Sequence, residues 1–90
     1  MNEDLARLRC LDIDDLYMLS QRGEGRTLVS ISKDLLLTPP ALSLRTRKHI
    51  LVFGILDCGQ RGRGKPRPLN ENGLRVARKC EMALQALLED

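Results

Sequence analysis

The apolar positions of this chain recur at helical spacing in separate blocks, and each block opens on a residue suited to cap a helix. Ile13, Leu16 and Leu19 follow Asp12 at three-residue steps with Tyr17 beside them, which predicts a helix over 12–21. Arg22-Gly23-Glu24-Gly25 ends it as a turn. Thr27 then caps a short run to Leu35 in which Val29, Ile31 and Leu35 are apolar. Thr38 caps another over 39–50, with Pro39 and Pro40 in the first turn, where no intrahelical N–H is needed. Gly54 closes the apolar stretch Ile50-Leu51-Val52-Phe53. After a cap at Asn70, the residues Val76, Ala77, Cys80, Ala83, Leu84, Leu87 and Leu88 recur at three- and four-residue steps over 71–89. That stripe is wider than the core of one small domain requires. Leu5 and Leu8 share one face of a short helix within 1–10, while 55–58 and 66–69 are the candidates for two short strands. The expected fold is mostly α with a small β-hairpin and a long C-terminal helix.

Two short helices joined by a tight turn, at 27–35 and 39–50, form the frame of a helix-turn-helix. On the second of them Ser43 is small enough to let the backbone approach a groove, and Leu44 and Arg47 are placed to meet base edges. Thr27, Thr38, Pro39, Arg45 and Lys48 are candidates for phosphate and backbone contacts. The segment 59–68, GQRGRGKPRP, then presents Arg61, Arg63, Lys65 and Arg67 with no acid among them. Its glycines and prolines exclude a central strand or a helix, so it reads as an exposed basic arm, slim enough for a narrow minor groove. The tract resembles an AT-hook, although Gly64 and Lys65 interrupt the usual Arg-Gly-Arg-Pro core.

From about Leu11 to Gly73 the chain resembles the winged helix-turn-helix domain of LysR-type transcription regulators. Ile13, Leu16 and Leu19 fall where that family has an apolar first helix. Leu35, Leu37, Thr38, Pro40, Leu42 and Ser43 match its turn and recognition helix, Phe53-Gly54 stands for a Leu-Gly pair, and Leu69-Asn70-Glu71-Asn72-Gly73 stands for the return from the wing. Thr46 and His49 lie where the family buries aliphatic residues, and Asp57-Cys58 replaces an apolar pair. These departures widen the resemblance to the broader winged-helix group, which includes MarR-like and molybdate-regulator-like domains. The resemblance implies a winged helix-turn-helix with its last helix as a dimerisation linker. On this reading 1–90 is a single domain, with core and wing over 11–73 and the linker helix over 74–90. Leu5, Leu8, Val76, Cys80, Ala83, Leu84 and Leu87 are the candidate pairing residues.

Composition agrees with one small domain. Ninety residues at 42% hydrophobic content support a modest core, and with one tyrosine, one phenylalanine and no tryptophan that core is aliphatic. A stacking platform for single-stranded nucleic acid is thereby disfavoured. The net charge of +3 is small, but acids outnumber bases over 1–25 and bases outnumber acids severalfold over 26–79, so the middle of the chain is the anion-facing part. No apolar run has the length of a membrane span, and MNEDLARLR is no signal peptide, so a cytoplasmic protein is expected. Cys10, Cys58 and Cys80 lack the paired spacing of zinc sites and are read as reduced thiols, with Cys58 beside Arg61 as the candidate redox position. A single histidine builds no metal site, Asp12, Asp14 and Asp15 suit a helix start, and no nucleophile and base are paired; neither an enzyme nor a cofactor is expected. Two functions follow. One is a sequence-specific regulator that binds double-stranded DNA as a homodimer; the other is an interaction module whose basic loop meets an acidic partner.

Overall fold

A computed structural model of the protein describes residues 5–6, 8–53 and 69–89. They form α1 (Ile13–Gly23), α2 (Leu28–Leu35), α3 (Pro39–Phe53) and α4 (Glu71–Leu88), and residues 5, 6 and 8 add a short helical piece ahead of α1. The caps lie where the side chains predict them. Asp12 and Asp15 make a reciprocal capping box at the start of α1, the Thr27 hydroxyl accepts the Ser30 N–H, the Thr38 hydroxyl accepts the Ala41 N–H, and Asn70 accepts the Gly73 N–H.

The expected β-hairpin is corrected: the described residues are helical throughout their regular structure, with no strand among them. Its second strand falls on 66–69, of which only Leu69 is described, as an isolated β-bridge position followed at once by the cap of α4. Two prolines in that stretch lack the N–H donors that a ladder needs. The segment 54–68, with the rest of the expected hairpin and the basic arm, lies outside the described residues.

α1 is the centre of the fold. Its buried residues Asp15, Met18, Leu19 and Arg22 follow the i, i+3, i+4, i+7 stripe of a core helix. Met18 meets Ile31 of α2 and Leu42 of α3, with Tyr17, Leu28, Leu35 and Leu37 packed around them. Leu19 meets Cys80 of α4, with Leu16, Ile50, Phe53 and Val76 around that pair. One face of α1 therefore carries the α2–α3 pair while the neighbouring face carries α4, its most extensive contact. Across residues 54–68 the two sides are tied again, because the Asn72 amide donates to the Phe53 carbonyl at 2.6 Å. Ile13 is exposed, as are Leu5 and Leu8.

The turn between α2 and α3 has an unusual residue. Leu36 sits in the left-handed region (φ 57, ψ 37) with its side chain 90% exposed, so it carries the cost of that backbone without the compensation of burial. Leu36→Gly is expected to raise stability by about 0.5 to 1 kcal/mol in urea unfolding, since glycine adopts this conformation freely and no packing is lost. A loss of stability would show that Leu36 makes contacts in solution.

Candidate nucleic-acid interface

The exposed side of α3 is built from residues spaced at one helical turn. Pro40, Ser43, Leu44, Arg47 and Leu51 are all exposed, whereas Leu42 and His49, on the opposite side, are buried. The three expected base-facing positions, Ser43, Leu44 and Arg47, therefore lie together on the open surface of the second helix of the α2–α3 pair. Thr38 and Pro39 stand at its N-terminal end, also exposed, and Thr27 caps α2 nearby in sequence.

Arg45 and Lys48 are placed differently from the expectation of free phosphate ligands. Both turn back to carboxylates at the start of α1. Arg45 donates through Nη1 to Asp12 Oδ1 and Oδ2 (2.9 and 3.0 Å) and to Asp15 Oδ1 (3.1 Å), with Asp14 4.0 Å from its Nη2. Lys48 donates through Nζ to Asp15 Oδ2 at 2.7 Å and to the Cys10 carbonyl at 2.9 Å. Of the cations on α3, Arg47 alone makes no ion pair among the described residues.

The focus of this arrangement is Asp15, which is fully buried. Its carboxylate accepts from Arg45, from Lys48, from His49 Nε2 at 2.8 Å and from the Asp12 N–H at 3.0 Å, so four donors fill the sites a carboxylate offers. Burial by itself pushes the Asp15 carboxyl up. The hydrogen bonds from Lys48, His49 and the Asp12 backbone outweigh it and hold the group well below the usual carboxylate range. His49 is almost fully buried, and burial pushes its imidazole below the ordinary value in spite of Asp15. At neutral pH the ring is accordingly uncharged, and since an ionised carboxylate only accepts, the ring proton sits on Nε2. His49 is thus a structural hydrogen-bond partner. What the residue pattern alone did not reveal is that its partner is Asp15, thirty-four positions away. A signal was present: Arg45, Lys48 and His49 stand at i, i+3 and i+4, one helical face with three donors, and such a face asks for an acidic counterpart.

A second polar group holds α2 to α1. Arg26 donates to Asp34 at 2.6 Å, to Gln21 at 2.7 Å and to the Ser30 hydroxyl, while the Tyr17 hydroxyl donates to Asp34. The outer face of α4 presents Arg75, Arg78 and Lys79, all exposed, between Leu74 and Met82.

The candidate pairing residues divide. Cys80 is buried against Leu19, and Val76 packs on the same cluster, so both serve the domain's own core. Burial, with the Asp15 charge added, pushes the Cys80 thiol up to about 11, which keeps it protonated and unreactive. Leu84 and Leu87, with Ile13, Leu35 and Leu88, line a shallow apolar groove of about 390 Å³ between α4 and α1. Leu8 and Ala83 line another of about 400 Å³, and Leu5 is exposed ahead of it. Arg61, Arg63, Lys65, Arg67 and Cys58 lie outside the described residues. Among the described residues no helix is long and apolar enough to cross a membrane. Compared with known proteins, the chain matches no family model, no curated protein and no solved structure.

Proposed function

We propose that the protein is a sequence-specific double-stranded DNA-binding regulator that lays α3 in the major groove. The observation that carries this reading is the exposed face of α3, where a small Ser43 and an Arg47 without an ion pair among the described residues stand together on the second helix of a two-helix unit. The same helix is held from behind by Asp15, so the surface that would meet base edges is presented on a rigid support. Arg47 reaches a guanine edge through two N–H donors, Ser43 allows close approach, and Leu44 offers apolar contact to a thymine methyl. Thr38 and Pro39 border the backbone. The basic residues of 61–67 contribute by their charge, as the sequence places them. Two copies associated through the grooves lined by Leu84, Leu87 and Leu8 would present two α3 helices to an operator in inverted repeat.

The test is binding to selected and to random duplexes. Arg47→Ala is expected to weaken binding to the selected site by about 1 to 3 kcal/mol and to relax preference at one base pair, with little change on random duplex. Equal binding and equal preference in parent and variant would remove Arg47 from base recognition. A second reading is favoured by one observation: Leu36, Leu44 and Leu51 are large, apolar and highly exposed around α3, a surface suited to another protein. If the parent chain shows no duplex binding at low salt, the protein-partner reading takes precedence.

A further inference from the structure

We infer that Asp12 and Asp14 are specificity-determining residues: they occupy Arg45 as built-in rivals of DNA phosphate, so that binding by α3 depends on base contacts more than on charge. This inference rests on the DNA-binding reading and deepens it. Arg45 neighbours the exposed Leu44 along the chain and flanks the Ser43–Arg47 face, the position from which a cation on a groove-bound helix reaches a backbone phosphate. It is only partly exposed, its side chain at 25%, and Asp12 holds it through both carboxylate oxygens. Asp12 itself is 56% exposed at the side chain and Asp14 42%, so neither carboxylate is forced into this pairing by burial.

The capping of α1 does not account for the arrangement either. Asp12 caps α1 by accepting the Asp15 N–H at 2.8 Å, and an asparagine would do this equally well without a charge. The charge also suits the α1 dipole, and it pairs with Arg45 at 2.9 Å. Lys48 is neutralised in the same way, by the buried Asp15. Sequence-independent affinity for DNA comes almost wholly from cations that neutralise phosphates, whereas discrimination comes from base edges. Withdrawing Arg45 and Lys48 lowers the first while leaving Arg47, and so the second, intact.

The experiment compares parent, Asp12→Asn/Asp14→Asn, Arg45→Gln, and the triple variant combining all three substitutions, on random and selected duplexes across a salt series. Both asparagines preserve size, and Asp12→Asn keeps a side-chain oxygen for the cap, so the fold is retained, with a thermal melt as the check. In the double variant Arg45 loses both Asp12 bonds and the nearby Asp14 charge and keeps only its 3.1 Å bond to Asp15, a carboxylate that Lys48, His49 and the residue-12 N–H also fill, so the guanidinium is free to exchange that bond for the DNA backbone. The log-log salt slope on random duplex is then expected to steepen by about 0.9 per chain, so the gain in affinity over the parent shrinks about threefold between 50 and 200 mM salt. The ratio of selected to random binding falls accordingly. Arg45→Gln alone is expected to leave the slope unchanged, while the triple variant returns to the parent's slope.

A double variant that binds random duplex with the parent's affinity and slope overturns the inference while the DNA-binding reading stands. A gain that survives in the triple variant also overturns it, because the effect would then come from the lost negative charge in general and not from Arg45. Failure of both parent and double variant to bind any duplex at low salt overturns the DNA-binding reading and this inference with it.

Discussion

Asp15→Asn is expected to lower the stability of the domain by about 3 to 5 kcal/mol, the range for removing one side of a buried ion-paired group. For a chain of this size that is a large part of the whole. The asparagine matches the carboxylate in volume, so no cavity opens, and the effect isolates charge and hydrogen bonding. Its amide end brings donors against the donors of Arg45, Lys48 and His49, which fill the site in the parent. Arg45 and Lys48 are partly exposed and turn to water, but His49 has only 2% exposure and no such escape. Lys48→Met is the comparison. Asp15 keeps its other donors there, so the loss is expected to stay near 1 kcal/mol. Urea unfolding of both variants decides, and a loss below about 1 kcal/mol for Asp15→Asn would mean that α3 is held by its apolar contacts alone.

The same pair sets the response to acid. His49 has its folded-state value pushed down, so the unfolded chain takes up a proton at this ring more readily than the folded one, and stability present above the ordinary histidine value near 6.5 declines as pH falls below it. Asp15, also held below its unfolded value, contributes stability that is complete above about pH 4 and is lost as pH falls further toward its folded-state value. Both shifts act in one direction. The parent is therefore expected to lose stability in two stages between neutrality and strong acid, and His49→Gln to lack the first stage.

The helices were legible because their signals are local. Asp12, Thr27, Thr38 and Asn70 mark the starts of α1 to α4 through one hydroxyl, amide or carboxylate each, and the three- and four-residue spacing of apolar residues needs no knowledge of partners. The side of α3 that faces out was legible for the same reason, from the alternation of Leu42 with Ser43, Leu44 and Arg47. What the residue pattern left hidden were features that depend on distant residues. Arg45 and Lys48 look like free cations until α1 is folded against them, and only then do Asp12 and Asp15 lie within reach. The wide stripe of α4 contained residues for two purposes, and periodicity does not separate Cys80, which the core consumes, from Leu87, which it leaves exposed. Ile13 is exposed because it stands on the side of α1 away from the buried stripe of Asp15, Met18, Leu19 and Arg22, where it lines only the shallow groove with Leu84 and Leu87.

Gly23 is the position where the smallest added group has a clear consequence. It is the last residue of α1, where α1 crosses α4, and a Cβ built there lies 2.6 Å from the Cβ of Ala77, far inside the contact distance of two methyl groups. Ala77 is buried and on a rigid backbone, so neither partner moves aside without parting the helices. Two effects oppose each other in Gly23→Ala. Helix propensity favours alanine by at most about 1 kcal/mol, and less at a terminus, whereas overpacking of this kind costs about 1 to 3 kcal/mol. The net loss is expected at about 1 to 2 kcal/mol, and Gly23→Val, with two further carbons and no propensity gain of note, should exceed it. The compensating change is Ala77→Gly. With that methyl removed, the nearest atom of residue 77 to the new Cβ is its Cα at 3.9 Å, an ordinary van der Waals contact. Gly23→Ala combined with Ala77→Gly is thus expected to recover most of the loss, less about 1 kcal/mol for a glycine in the interior of α4. The single and double variants form a thermodynamic cycle read by urea unfolding. A coupling near zero would show that α1 and α4 do not approach this closely at Gly23, and the central packing of the fold would have to be redrawn.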